Sequence, residues 1–130
     1  MTKKLTPKKT LKLLEDIVKG RENYIYSSGR VDEDEYGEES EDGNCYYANE
    51  DGSPSCIVGH VLSRFDPNLF TQVVELEQSI IIGIVDVSKN IPDFPVTVEA
   101  LRVLKMVQDS QDNGAQWGSA LAVARDETEY

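Results

Sequence analysis

Cys45, Cys56 and His60 are the residues of this chain whose types and spacing could do chemistry; they include both cysteines and the only histidine. Cys56 and His60 stand four apart, so a helix through them would make them neighbours on one strip. Four readings follow. The first is packing, with two small apolar thiols and a hydrogen-bonded core histidine. In the second, Cys45, Cys56 and His60 are three ligands of a zinc ion, whose usual fourth cysteine or histidine would have to be replaced by a carboxylate or water. In the third, a cysteine is a nucleophile with His60 as its base, although nothing marks an oxyanion hole or an orienting third group. The fourth is a Cys45–Cys56 disulfide.

The elements that must position these residues are legible around them. Asn44–Tyr47 is short, aromatic and bounded by turn residues, which predicts a strand. Ala48–Pro54 is turn chemistry, with Asp51-Gly52 tolerant of positive φ and Ser53-Pro54 stopping any strand. Ser53 or Ser55 is the expected cap of a helix over Cys56–Phe65. Ile57, Val58, Val61, Leu62 and Phe65 fill one arc of that helix, with Cys56, Gly59, His60 and Ser63 opposite. A mid-helix glycine costs about 1 kcal/mol against alanine. Gly59 therefore predicts a second backbone lying close against the small-residue strip, which would cover this helix on both sides.

The chain has 130 residues, enough for one domain with a core that needs no staples. Its formal net charge is −11, from 13 Lys/Arg and 24 Asp/Glu. That balance disfavours nonspecific contact with nucleic-acid phosphate. The charge is uneven: residues 1–21 hold seven basic and two acidic groups, whereas residues 22–51 hold one arginine and eleven acids. Lys8, Lys9, Lys12, Glu15 and Asp16 interrupt any signal-like apolar run. The longest apolar run, Ile80–Val85, is far short of the roughly 20 residues a membrane span needs. With two cysteines and no disulfide framework, the expectation is a soluble protein of a reducing cytoplasm.

Thr6 and Pro7 open a first helix that Gly20 closes, with Leu11, Leu14, Ile17 and Val18 as its buried stripe. Its lysines read as a solvated face able to answer acidic groups elsewhere. Asn23–Ser27 is a strand candidate that would pair with Cys45–Tyr47 in a hairpin. Asp66-Pro67 starts a helix to about Gln78. Ser79–Val87 is β-branched throughout and predicts a buried strand, at a length that also suits a helix. Thr97 caps a helix to about Asn113, with Val96 and Leu101 as a hydrophobic staple. A last helix, from Ala115 to about Asp126, carries Trp117 as a core anchor. The expected fold is a mostly helical α+β single domain: about five helices, a short β-hairpin and a possible further strand, with residues 127–130 frayed.

Between the two hairpin strands lies an acidic loop, residues 28–43, with eight acids from Asp32 to Asp42. Such a run is self-repelling and flexible if it is only a connection. As a surface it would meet a basic patch on a protein, or imitate nucleic-acid phosphate. Asp32, Glu33, Asp34, Glu35, Glu38 and Glu39 are then the contact residues, and Tyr36 the aromatic anchor. The acids lack the spacing of an EF-hand calcium loop.

Two stretches carry a family resemblance. Cys45-Tyr46-Tyr47 with Gly52–Leu62 (GSPSCIVGHVL), and Gln108–Leu121 (QDSQDNGAQWGSAL), resemble small uncharacterised proteins of actinobacterial phages and their hosts. The resemblance implies a phage-infected cell as the setting and no chemistry; the acidic loop is outside the shared pattern. No phosphate-cradling loop, G-x-S-x-G or HExxH occurs, which weighs against an enzyme. The expected function is a non-enzymatic phage-type accessory protein that binds a host protein through the acidic loop, with no cofactor, no direct nucleic acid and no membrane. The alternatives are a DNA-mimic inhibitor of a nucleic-acid enzyme, and a small metal- or thiol-dependent enzyme centred on Cys45, Cys56 and His60, zinc being the metal.

Overall fold

A short N-terminal strap fixes the start of the chain. Leu5, fully buried, exchanges backbone hydrogen bonds with the segment leading into the fifth helix: Leu5 N–H donates to the Pro95 carbonyl at 2.8 Å, and Thr97 N–H donates to the Leu5 carbonyl at 3.0 Å. The computed structural model describes residues 4–26, 31–33, 39–41, 47–49, 51–79 and 83–128. Along them run α1 (Pro7–Val18), β1 (Val31–Glu33), β2 (Glu39–Glu41), α2 (Ile57–Phe65), α3 (Pro67–Ser79), α4 (Ile84–Asn90), α5 (Val98–Asp112) and α6 (Trp117–Thr128).

The helix starts follow from local chemistry. Thr6 Oγ1 accepts from Lys9 N–H at 3.3 Å, and Pro7 occupies the first turn, where its missing N–H costs nothing. Thr97 Oγ1 accepts from Ala100 N–H at 3.1 Å. Asp66 Oδ1 accepts from Asn68 N–H at 3.0 Å at the head of α3. Gly20 and Gly114 carry the positive φ that closes α1 and the α5–α6 turn.

The core is helix on helix. α1 packs against α2, α5 and α6, α2 also meets α3 and α5, and α4 lies on α5. Ile57, Val58, Val61 and Leu62 of α2 are all fully buried, together with Leu14, Ile17 and Val18 of α1, Val103, Leu104 and Val107 of α5, and Trp117, Ala120 and Ala124 of α6. α2 is thus the central helix. Its glycine is explained as expected: a Cβ on Gly59 would fall on the Tyr47 carbonyl.

The expected α+β class is wrong; the chain is mostly helical, with six helices among the described residues. The predicted hairpin of Asn23–Ser27 with Cys45–Tyr47 does not form among those residues. Ile25 instead makes one antiparallel bridge to Gln116, and Ala48 one to Pro54. The physical reason lies at the head of α6, whose first N–H groups have no partner within their own helix. The 22–25 segment lends its carbonyls to them: Trp117 N–H donates to Tyr24 at 2.8 Å and Gly118 N–H to Glu22 at 2.9 Å. The predicted strand Ser79–Val87 also fails. α3 reaches Ser79, residues 80–82 lie outside the described set, and Gly83 caps α4. Ile84 and Val87, three apart, then bury one helical face.

The ladder that does form is where a loop was expected. β1 and β2 pair antiparallel, Val31 with Glu41, Asp32 with Ser40 and Glu33 with Glu39. α6 continues to Thr128, two residues past its expected end.

Candidate functional site

Cys56 is the N-cap of α2: its sulfur accepts from Gly59 N–H at 3.4 Å, and its side chain is fully buried. The serine cap expected there is otherwise engaged, since Ser55 Oγ lies 2.9 Å from Tyr26 Oη. Cys56 is disulfide-bonded, and the chain's other cysteine is Cys45, which lies outside the described residues. In this state Cys56 has no thiolate to offer as nucleophile or metal ligand. Among the described residues no group of three His, Cys, Asp or Glu side chains could hold a metal ion. The metal and nucleophile readings both need the Cys56 sulfur as a thiolate, whereas the structure holds it in a disulfide; Cys45, the remaining member of the set, falls on residues the structure does not describe.

His60 belongs to a different arrangement. Its ring meets Trp117 edge-on, with centroids 5.6 Å apart and planes at 75°, and Tyr24 meets Trp117 the same way at 4.7 Å and 84°. The three rings border a cleft of about 370 Å³ whose remaining lining comes from Arg21, Asn49, Pro54 and Ser55. Burial, then the positive fields of Arg21 and Arg64, push the His60 pKa down to about 4. The imidazole is neutral at physiological pH, with one donor and one acceptor nitrogen.

Tyr47 braces Ser55 of this lining. Its backbone N–H donates to Glu77 Oε2 of α3 at 2.5 Å, and its carbonyl accepts Ser55 N–H at 3.0 Å. Its hydroxyl takes a hydrogen bond from Gln108 Nε2 at 3.0 Å, and burial drives its pKa well above the ordinary tyrosine value. One residue thereby ties α2, α3 and α5 together.

Two buried glutamines on α5 complete the frame. Gln108 Oε1 accepts from Ile84 N–H at 3.0 Å, at the head of α4. Gln111 Oε1 accepts from Ile57 N–H at 2.8 Å and from Trp117 Nε1–H at 3.2 Å. The Ile84 and Ile57 N–H groups are helix-start donors without a partner in their own helix, and the buried indole N–H likewise needs an acceptor. Sequence reasoning missed these two residues, as it missed Arg21, Tyr24 and Asn49. A signal existed for the glutamines: Leu104, Val107, Gln108 and Gln111 follow the i, i+3, i+4, i+7 pattern of a buried stripe. None existed for the cleft, which gathers residues far apart in the chain.

Of the expected contact residues, Asp32 and Glu33 lie on β1 and Glu39 on β2. Asp34, Glu35, Tyr36 and Glu38 fall outside the described residues. The lysines of α1 border a separate groove of about 550 Å³ with Lys8, Lys9, Lys12 and Leu11 on its sides. Lys9 Nζ also lies 5.8 Å from the Phe65 ring centroid, at cation–π range. No described helix is long and apolar enough to cross a membrane. Comparison of the chain with family models, with curated proteins and with solved structures gave no match.

Proposed function

We propose that this chain is a non-enzymatic binding protein of phage-accessory type, and that the acidic β1–β2 hairpin is its contact surface for a basic patch on a host protein. The observation that supports this reading most is the ladder register. Glu33 is paired with Glu39, Asp32 with Ser40 and Glu41 with Val31, so one of the three pairs sets two acids directly opposite each other. Like charges set directly opposite each other destabilise a strand pair. A cationic partner removes that cost, so the same residues that weaken the free hairpin strengthen a complex. The disulfide at Cys56 supports the non-enzymatic reading, because it takes up the sulfur a thiol- or zinc-dependent mechanism would need.

The test is affinity capture from host lysate at low and high salt, with wild type beside a variant carrying Asp32→Asn, Glu33→Gln, Asp34→Asn, Glu35→Gln and Glu39→Gln. The reading expects one dominant partner, retained at low salt, released at high salt and lost with the variant. Retention by the variant removes the hairpin from the account. A DNA-mimic inhibitor is the special case in which DNA competes with the chain for the captured partner.

A further inference from the structure

The cleft between Tyr24, His60 and Trp117 is an anomaly of charge. The chain carries −11 overall, yet the ionised groups that act most on His60 are two guanidiniums, Arg21 and Arg64. Among the described residues neither forms an ion pair; the three pairs present are Arg102–Glu127, Lys105–Asp109 and Arg125–Glu15. Although the chain has nearly twice as many acids as bases, the charges that act on this imidazole among the described residues are two cations and no carboxylate.

The rest of the cleft has the composition of a small-molecule site. Trp117 is 1% exposed and held rigid by Gln111, and the His60 and Tyr24 rings stand edge-on to it. The His60 backbone N–H donates to the Cys56 carbonyl at 3.0 Å, but its ring makes no hydrogen bond among the described residues, so the ring donor and acceptor are both available. The Ser55 hydroxyl at the margin is oriented by Tyr26. A volume of about 370 Å³ is at the lower end of ligand pockets, which run from about 300 to 1,000 Å³.

We propose that this cleft binds a small planar aromatic carboxylate, its ring against the Tyr24–His60–Trp117 cluster and its carboxylate on Arg21. A guanidinium matches a carboxylate with two parallel hydrogen bonds, and aromatic edges carry the positive end of the ring quadrupole toward a ligand's π face. Arg64, outside the lining, adds field without contact. This site is separate from the acidic hairpin and stands or falls independently of it.

The test uses 1-naphthoate as probe, with 1-naphthamide and inorganic phosphate as comparisons, by isothermal titration calorimetry on the full chain. The indole N–H resonance of Trp117, the chain's one tryptophan, reports the location. The expected result is one naphthoate per chain with a shifted indole resonance, and amide and phosphate each binding at least about tenfold more weakly. Arg21→Ala should lose about tenfold in naphthoate affinity, the size of one charge-assisted pair. Arg21 is exposed, so its variant should keep the wild-type circular dichroism and melting temperature. Equal binding of amide and carboxylate overturns the proposal, as does unchanged affinity in Arg21→Ala, phosphate binding as tightly as naphthoate, or an unmoved indole resonance.

Discussion

The amide oxygen of Gln111 lies 2.8 Å from the backbone N–H of Ile57, the first residue of the central helix, and the two are 54 positions apart in sequence. The same oxygen also receives Trp117 Nε1–H. A side chain on α5 thus caps α2 and anchors α6, with Gln111 itself 2% exposed. Truncating it leaves two buried donors without an acceptor, each costing about 1–3 kcal/mol. Gln111→Ala is expected to lower unfolding stability by about 2–4 kcal/mol in urea titration. A loss under 1 kcal/mol would mean that water replaces the glutamine.

Gly59→Ala tests the close backbone approach. Alanine gains about 1 kcal/mol of helix propensity over glycine, but its Cβ would land on the Tyr47 carbonyl. The clash should dominate, giving a net loss of about 1–3 kcal/mol. At Gly83 the nearest atom to an added Cβ is Gln108 Oε1 at 3.5 Å, an ordinary contact. Gly83→Ala should therefore stay close to wild type, and the difference between the two variants is what thermal melts would measure.

Acid titration should expose two opposed groups. His60 has its pKa pushed from 6.5 down to about 4, first by burial and then by Arg21 and Arg64. Its unfolded form takes up a proton first, so its contribution to stability is complete above pH 6.5 and is lost as pH falls toward 4. Asp112 has its pKa pushed from 3.8 up to about 6, chiefly by burial, with repulsion from Asp109 adding and the hydrogen bond from Gln111 opposing. Its charged form penalises folding above pH 6, and that penalty is relieved as pH falls toward 3.8. Asp112→Asn should consequently lose more stability than wild type between pH 6.5 and 4. His60→Asn should lose less. Melting temperatures of the three proteins at pH 7 and pH 4.5 give the comparison.

The disulfide at Cys56 makes a redox prediction. Reduction should lower stability by about 2 kcal/mol, typical of a single bridge, and should release thiol titratable in denaturant where the unreduced protein gives none. The expectation of a reducing cytoplasm rested on reading both cysteines as thiols, and the disulfide at Cys56 removes that premise.

How far the sequence could be read depended on how local the determining forces were. Thr6, Asp66 and Thr97 cap through groups two or three residues away, and all three helix starts were visible in advance. Gly59 announced a close backbone because its cost is local even though its reason is not. The 22–25 segment was misread because its aromatic, β-branched composition suits a strand, while its carbonyls are used by α6, more than ninety residues further along. Ile84 and Val87 were misread because a short apolar run has the same composition whether buried in a helix or in a sheet. The cleft could not be read at all: Arg21, Asn49, His60 and Trp117 converge only when α1, α2 and α6 have packed.

The most direct test of the binding account is the salt dependence of affinity for the captured partner, measured for wild type and for the neutralised hairpin variant. The account predicts that wild-type affinity falls steeply as salt is raised from about 50 to 500 mM, through screening of exposed charges, and that the variant binds weakly with a nearly flat dependence. Two superimposed salt curves of equal affinity would contradict it, placing the contact surface elsewhere on the molecule.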